Sequence, residues 1–463
     1  MSGKKDLLVH DMTVGSPLKL MLQFAVPLVI GNIFQQVYNL VDAIVVGRYV
    51  SSDALGAVGA TSSVIFLIAS LVMGMSVGIG ITVSQYFGAN DDDMVRKAIG
   101  NSVYIVGIAA IVMSIIGFAA AEPILNLLNT PAKQLPDAVM YLRTTSCGII
   151  AVASFNLISS ILRALGDSFS PIIFLIVACV INIGLDLLFV KQFEMGVLGV
   201  GVATAIAQII AAICCLVFAY NTNSYFKLLR KDDFIPKQEL IKKTAIVGLP
   251  VGGQNALIAL SLVVLQSVVN SFGPDFVTAF TVVSRIEQLV QQPFMSIGAA
   301  LATFTGQNIG AGNLKRVKRG FWTATCINTV FALMIIFIFQ VFTVPIVKIF
   351  GDAPKVIDLA VTGLRITSAF YIFLGLIYTT RNVLNGAGDA SFSLVTGITE
   401  VVGRCGFAKP LTMIPFIGLN GVWLTTGITW LLNGIISLIR YKQGIWKDKA
   451  IVKANVPKEE IVS

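Results

Sequence analysis

Two stretches of the chain decide its fold: LRTTSCGIIAVASFNLISSILRALGD at residues 142–167 and LRITSAFYIFLGLIYTTRNVLNGAGD at residues 364–389. Each begins with Leu-Arg, continues as a mostly apolar run and ends in a Gly-Asp turn. Each is long enough to cross a bilayer as one helix, which takes about 20 residues. Because the second copy begins 222 residues after the first, the chain is predicted to contain two related halves.

The same offset joins other short motifs along the chain. QYFGA at residues 85–89 recurs as QNIGA at residues 307–311. Near the start of each half the offset is 223, so that Pro27 corresponds to Pro250, and one single-residue gap reconciles the two values. A constant offset over about 180 residues does not arise by chance, and it indicates an internal duplication.

The composition excludes a soluble enzyme. Hydrophobic residues make up 56% of the 463 residues and charged residues 12%, and the mean hydropathy is +0.85. A soluble domain has about 25% charged residues. The single histidine, His10, and the absence of a Cys-x-x-Cys pair exclude the usual zinc, haem and iron–sulfur ligand sets, so we expect no cofactor.

Apolar runs bounded by charges or turn residues predict twelve transmembrane helices. The predicted spans are residues 18–47, 54–84, 98–121, 140–163, 169–190, 197–219, 244–271, 277–305, 320–343, 360–385, 392–414 and 418–440. We therefore expect an all-α polytopic membrane protein with two six-helix bundles. Since each half has an even number of spans, both halves enter the membrane from the same side. Such a parallel repeat is typical of transporters, and a duplicated scaffold or channel is the alternative.

The charges set the expected topology. We predict an N-terminal tail (1–17), a first lobe (18–219), a linker (220–243), a second lobe (244–440) and a C-terminal tail (441–463). Of the 33 basic residues, 23 lie on one side of the membrane, in tails, loops and the adjoining ends of spans, so both termini are expected to be cytoplasmic. The net charge of +9 is divided among many loops, which indicates topology and not a nucleic-acid surface.

Acidic residues within the spans are few, and two of them belong to the first lobe. Asp42 lies in span 1 and Asp186 in span 5, and each costs roughly 2.5–3.5 kcal/mol if charged at mid-depth. Asn182 lies one helical turn before Asp186, and Thr204 in span 6 adds a hydroxyl. These four residues are hard oxygen donors that could hold Na⁺ or share protons. The alternative is that the two acids only brace helices.

The second half lacks most of this chemistry. The positions that correspond to Asp42, Asn182, Asp186 and Thr204 are Leu265, Arg404, Ala408 and Thr426. Glu400 lies one turn before Arg404, which predicts a buried ion pair. A sharper hypothesis is that the fixed guanidinium replaces a mobile cation, so that the second lobe does not switch. Pro27 within span 1 permits a kink that could be coupled to the charge of Asp42.

With these residues the sequence resembles the multidrug and toxic compound extrusion (MATE) family over residues 15–440. The most specific part is span 1, from Pro27 to Gly47, with Asn-Leu-Val-Asp ending at Asp42. The resemblance implies a V-shaped pair of bundles, a monomer, and export of amphipathic, often cationic, compounds driven by inward H⁺ or Na⁺. It also implies a cation site at Asp42, Asn182, Asp186 and Thr204. Some members carry acids in spans 7 and 10, which this chain lacks.

The leading hypothesis is a cation-coupled antiporter of organic cations in a bacterial or archaeal plasma membrane. Its candidate substrate-cavity residues are Gln35, Tyr38, Asn255 and Glu287. The alternative for Glu287 is a pairing with Arg285, Arg404 or another helix. A lipid-linked saccharide flippase of related architecture is the alternative, although it should line its cavity with Arg or Lys. An intramembrane enzyme is disfavoured because the spans contain no His and no catalytic motif.

Overall fold

A computed structural model of the chain describes residues 9–128 and 130–452, and the regular structure in these residues is helical. The α-helices of this part are α1 (Pro17–Tyr49), α2 (Ser52–Gly88), α3 (Asp92–Ala119), α4 (Ala121–Leu127), α5 (Leu135–Ala164), α6 (Ser170–Asp186), α7 (Gly196–Thr222), α8 (Ser224–Lys227), α9 (Gln238–Asn270), α10 (Pro274–Gly310), α11 (Leu314–Val341), α12 (Thr343–Lys348), α13 (Pro354–Ser368), α14 (Tyr371–Gly386), α15 (Ser391–Met413) and α16 (Asn420–Gln443). A π-helical turn, Leu187–Gln192, continues α6.

The helices confirm the predicted all-α architecture. Among the described residues, nine helices are long and apolar enough to span a membrane, and the bent pair α13 and α14 makes a tenth. The two remaining predicted spans correspond to α10 and α15. Charged side chains within these two helices, such as Arg285 in α10 and Arg404 in α15, lower their hydropathy.

Predicted span 10 differs from expectation because it is not one continuous helix. α13 ends at Ser368, α14 begins at Tyr371, and the two axes are bent by 50°. A helix end leaves carbonyl groups without intrahelical partners. Gln340 satisfies one of them, since its Nε2 donates to the Arg365 carbonyl at 2.9 Å and to Ser368 Oγ at 3.2 Å. A side chain from α11 therefore stabilises the break.

The internal repeat extends to backbone conformation. Gly166 and Gly388, which are 222 residues apart, have φ of +93° and +94°, in the region that only glycine adopts readily. The N-terminal caps of α3 and α11 also correspond. Asp91 Oδ1 accepts from Met94 N at 3.1 Å, and Asn313 Oδ1, 222 residues later, accepts from Arg316 N at 3.0 Å. The two halves therefore form their turns and caps in the same way.

Each half has its own apolar core. One buried cluster joins α2, α3, α5 and α7, and a second joins α10, α11, α13, α14 and α16. A third cluster lies between the lobes, where α1 meets α10 and α11. α2 also packs along α9 and α10, so the main contacts between the lobes are those of α1 with α10, α2 with α9 and α2 with α10.

Glycines allow α2 and α9 to approach closely. A Cβ atom on Gly74 would lie 2.2 Å from the backbone nitrogen of Gly252, and a Cβ on Gly78 would lie 2.7 Å from that of Gly248. Such distances leave no room for a side chain. Small residues at a crossing are typical of membrane helices, because they let the two backbones touch.

We expect Gly74→Val to destabilise the protein by about 1–3 kcal/mol or more, because overpacking must push two backbones apart. The measurement is the thermal unfolding of the purified protein in detergent. Gly59→Val on the same helix is the matched control, since a Cβ at Gly59 meets no atom within 4 Å. Equal unfolding temperatures for the two variants would contradict this reading of the crossing.

Candidate functional site

The first lobe brings together the four residues that were predicted to form an ion site. Asp42 lies in α1, Asn182 and Asp186 lie in the last turns of α6, and Thr204 lies in α7. α1 packs against both of the other helices. α6 passes into the π-helical turn directly after Asp186, and such turns are frequent at functional sites. Asp186 and Asn182 are at most 1% exposed, and Asp42 is half-buried.

The amide of Asn182 connects the two carboxylates. With its nitrogen toward them, Asn182 Nδ2 donates to Asp42 Oδ1 at 2.9 Å and to Asp186 Oδ2 at 3.3 Å, and its oxygen accepts from Thr204 N at 3.2 Å. The reverse orientation would point the amide oxygen at two acceptors. One nitrogen therefore lies within hydrogen-bond reach of both acids, which places their carboxyl groups side by side.

Two tyrosines complete the surroundings of the pair. Tyr38 OH lies 3.4 Å from Thr204 Oγ1, and Tyr141 of α5 is a neighbour of both Asp42 and Asp186. Sequence reasoning did not identify Tyr141 as part of this site. The signal was available, because the position that corresponds to Tyr141 in the second half is Gly363, so the two halves also differ there.

The two carboxyl groups of the site have no basic partner among the described residues. Among the described ion pairs, none includes Asp42 or Asp186. Asp186 Oδ1 is buried and has no hydrogen-bond partner in the described part of the chain. A buried Asp186 and a half-buried Asp42 without a counter-charge are costly if both are ionised. Their oxygens, with those of Asn182 and Thr204, suit a shared proton or a bound Na⁺.

A cavity of about 150 Å³ lies beside this site in the first lobe. Its wall is mostly apolar, and it includes Tyr141, Asn156 and Thr204. Thr204 therefore belongs both to the wall of the cavity and to the polar cluster. A ligand in the cavity and an ion at the carboxylates would meet the same side chain.

The four predicted substrate-cavity residues are divided between the two lobes. Gln35 and Tyr38 line a small space in the first lobe beside Asn182. Asn255 is half-buried on α9 in the second lobe. Glu287 of α10 has Thr367, Tyr371 and Arg404 as polar neighbours, all of them in the second lobe. Which face of a membrane helix points inward was not determined by the sequence pattern.

The corresponding place in the second lobe holds an ion pair. Arg404 Nη2 lies 3.1 Å from Glu400 Oε2, and the two side chains are only 7% and 8% exposed. Arg404 Nη1 donates to Ser261 Oγ at 2.5 Å, and Asn433 Nδ2 donates to Glu400 Oε1 at 3.2 Å. Ser261 corresponds to Tyr38 at the offset of 223. A guanidinium therefore occupies the second lobe's counterpart of the Asn182 site.

Pro27 lies within the unbroken helix α1, and it is one wall of a cavity that His10 and Gly166 also line. Proline removes one backbone hydrogen bond from a helix interior. Bending of α1 at this residue would move the segment that carries Asp42.

Comparisons with known proteins identify relatives over most of the chain. The sequence model of the MatE family matches residues 27–188 and 250–439. The "Probable multidrug resistance protein YpnP" of Bacillus subtilis (strain 168) is 29% identical over 442 residues, which cover 95% of this chain and 98% of that protein. An "FAD transporter" of Shewanella oneidensis is 23% identical over 430 residues, covering 90% and 92% of the two chains.

A solved structure has the same fold. It is described as the "Outward-facing conformation of a multidrug resistance MATE family transporter of the MOP superfamily", and it superposes with a TM-score of 0.88 at 24% identity. The superposition covers 96% of this chain and all of the other. With a family match over most of its length and the predicted duplicated fold, the chain belongs to the MatE family of membrane transporters, the multidrug and toxic compound extrusion (MATE) proteins, and is not an enzyme.

Proposed function

We propose that this transporter is an antiporter that exports amphipathic, cationic organic compounds in exchange for an inward flow of H⁺ or Na⁺. The names of its relatives, which include a multidrug resistance protein and multidrug export proteins, support the substrate class. In this proposal the protein is a monomer in a bacterial or archaeal plasma membrane, with both termini in the cytoplasm. The basic residues concentrated in the tails and loops of one side support that orientation.

One observation carries the proposal. Asp42 and Asp186 are held together by Asn182 in the interior of the first lobe, and no described ion pair neutralises them. A buried carboxylate pair is tolerated in a membrane protein where it serves an ion or proton path. A proton shared between the acids, or Na⁺ held by Asp42, Asn182, Asp186 and Thr204, would supply the missing positive charge.

The proposed transport cycle follows from the different affinities of the two conformations for the ion and for the substrate. When the central space faces the cytoplasm, ionised Asp42 and Asp186 attract an organic cation. After the lobes switch, H⁺ or Na⁺ enters from outside, neutralises the pair and weakens the hold on the substrate. Ion and substrate need not touch, because each needs only a different affinity for the two conformations. Bending at Pro27 is the proposed link between the charge of Asp42 and the shape of α1.

Because Thr204 belongs both to the cavity wall and to the polar cluster, substrate and ion could also compete directly for it. The apolar cavity could accept the ring system of a substrate, while the Thr204 hydroxyl on its wall would also be a ligand of a cation bound at the carboxylates. Gln35 and Tyr38 line the approach to Asn182 and remain candidates for substrate contact. Asn255 and Glu287 are the contacts that the second lobe is proposed to supply.

The second lobe is proposed to be electrostatically fixed. The Arg404 guanidinium provides a permanent positive charge at the place where the first lobe uses a mobile one. Only the first lobe would then respond to the ion gradient, and Glu400 and Arg404 would keep the second lobe in a single packing arrangement.

The experiment is uptake of a fluorescent organic cation into inside-out vesicles that contain the protein. We expect uptake when an outward H⁺ or Na⁺ gradient is imposed across these inverted vesicles, and none above the empty-vesicle rate without a gradient. Imposing the H⁺ gradient in Na⁺-free buffer, and the Na⁺ gradient at equal pH, identifies the coupling ion. Uptake that ignores both gradients would contradict ion coupling.

A second candidate, a flippase for lipid-linked saccharides, is favoured by one residue. Arg163 lies on the wall of a cavity of about 210 Å³ between the lobes, beside Asn32 and Ser296. A guanidinium there could accept a phosphate group. The same vesicles loaded with a fluorescent phospholipid distinguish the two functions, because the antiporter is expected to leave lipid translocation at the empty-vesicle rate.

A further inference from the structure

The QYFGA and QNIGA motifs meet at one end of the molecule, and the ion site does not explain them. α2 ends at Gly88 and α10 ends at Gly310. A Cβ on Gly88 would lie 1.9 Å from the carbonyl oxygen of Gln307, and a Cβ on Gly310 would lie 1.9 Å from that of Gln85. The two lobes are therefore in backbone contact here, and we call this contact the closed end.

Each glutamine of the two motifs bonds across the closed end to the opposite lobe. Gln85 Nε2 of the first lobe donates to the Gly386 carbonyl of the second lobe at 2.9 Å. Gln307 Nε2 of the second lobe donates to the Ala164 carbonyl of the first lobe at 2.9 Å. Both glutamine side chains are fully buried. These two carbonyls belong to the last residues of α14 and α5. The carbonyl groups in the last turn of a helix have no intrahelical hydrogen-bond partner.

The oxygens of the same two glutamines hold the irregular segments that flank the helices. We call residues 9–13 the first strap and residues 449–452 the second strap. Gln307 Oε1 accepts from Met12 N at 2.7 Å in the first strap. Gln85 Oε1 accepts from Ile451 N at 2.8 Å and from Val452 N at 3.3 Å in the second strap.

Each strap also contacts the lobe that does not contain the glutamine to which the strap is bonded. His10 N donates to the Leu165 carbonyl of the first lobe at 3.2 Å, while Met12 bonds to the second lobe. The second strap lies over Gly388, because a Cβ there would be 2.4 Å from the Lys449 carbonyl oxygen. In the same way, a Cβ on Gly166 would lie 2.2 Å from the His10 carbonyl oxygen of the first strap. Both straps therefore cross from one lobe to the other.

We propose that Gln85 and Gln307 are the paired gating residues of the closed end, and that each holds it shut by binding the opposite lobe through its amide nitrogen and a strap through its amide oxygen. All of these bonds join parts that must separate if this end opens. They therefore stabilise only the conformation in which it is closed, and their loss shifts the population toward the open one.

The inference does not depend on the coupling ion or the substrate. It requires only that the transporter opens at this end during its cycle. Its test measures accessibility and not transport, so that failure of the proposed antiport and failure of the gate give different results.

The test uses a variant with all six cysteines replaced and one reporter, Thr303→Cys. Thr303 lines the cavity between the lobes, seven residues before Gly310, which is about 10 Å behind the closed end. The reaction of this cysteine with a membrane-impermeant maleimide, added from the closed-end side, reports opening. Gln85→Glu and Gln307→Glu keep size and acceptor oxygens but remove the donor to the opposite lobe.

We expect the double Glu variant to be labelled about tenfold faster than the parent, and each single variant by a smaller factor. Ile451→Pro removes the backbone N–H that binds Gln85 Oε1, and it should accelerate labelling about as much as one single variant. Gln340→Glu is the control for loss of a glutamine donor that acts inside one lobe, because the described bonds of the exposed Gln340 amide go to Arg365 and Ser368 of the second lobe.

Labelling of the double variant within about twofold of the parent would overturn the proposal, provided that thermal unfolding shows a folded protein. Acceleration by Gln340→Glu equal to that of the gate variants would also overturn it, because the effect would then reflect general loosening. The isosteric changes are chosen so that the protein still folds, and the proline variant tests the strap independently of both glutamines.

Discussion

Asp42→Asn is expected to abolish gradient-driven efflux, bringing it to the rate of empty vesicles, because ion and substrate are coupled only if the ion binds the two conformations differently. The amide of asparagine cannot release a proton and is a weaker ligand for Na⁺ than a carboxylate. It would also place a second amide opposite Asn182 Nδ2, which now donates to Asp42 Oδ1 at 2.9 Å. The measurement is gradient-driven uptake into inside-out vesicles.

The control for this substitution is an acid that the site does not use. Asp53→Asn removes a carboxylate that pairs with Lys133 on the surface at 2.6 Å. An exposed pair contributes little stability, so this variant should transport at the parent rate. If Asp42→Asn still drives uptake normally while Asp53→Asn behaves as the parent, the carboxylate pair has no part in coupling.

In Asp42→Asn, substrate binding and ion coupling should be affected to different degrees. Because the substrate proposed here is a cation, loss of one negative charge should weaken its binding as well as its release. Counterflow of substrate without any ion gradient requires binding and switching but no coupling. Asp42→Asn is expected to retain measurable counterflow, whereas a variant that is merely misfolded would lose both activities.

The sequence predicted the parts of the molecule that depend on pattern. The 222-residue offset reappears in the backbone, where Gly166 and Gly388 share a positive φ. Long apolar runs defined the spans well, because each must satisfy its own backbone hydrogen bonds in lipid. Divergence between the halves identified Asp42, Asn182 and Asp186, and the structure brings their side chains together.

The features that were missed depend on rotation about helix axes or on irregular backbone. The pattern could not decide whether Glu287 contacts substrate or pairs with another helix, and the structure places Arg404 among its polar neighbours. The break between Ser368 and Tyr371 depends on Gln340, a residue from another helix. The repeated Gln85 and Gln307 were visible as a motif, yet their strap partners lie in segments without periodicity.

Arg404→Met is expected to destabilise the protein by about 3–5 kcal/mol, the cost of removing one partner from a buried ion pair. The change leaves Glu400 in the interior with only Asn433 as a described hydrogen-bond partner, and it removes the donor to Ser261 Oγ. Methionine keeps most of the side-chain volume, so that the effect reports charge more than packing. Thermal unfolding in detergent measures it.

The double variant Arg404→Met with Glu400→Gln separates two explanations of this loss. If the cost comes from an uncompensated charge, removing that charge should restore most of the stability, because apolar or neutral replacements of buried pairs are often close to neutral. If the double variant is as unstable as the single one, the guanidinium acts through packing and hydrogen bonds.

The proposal that Arg404 stands in for a mobile cation also requires altered transport. Unchanged uptake and unchanged ion dependence in the stable double variant would mean that the second lobe needs no fixed charge, and that the asymmetry between the lobes lies in the first lobe alone.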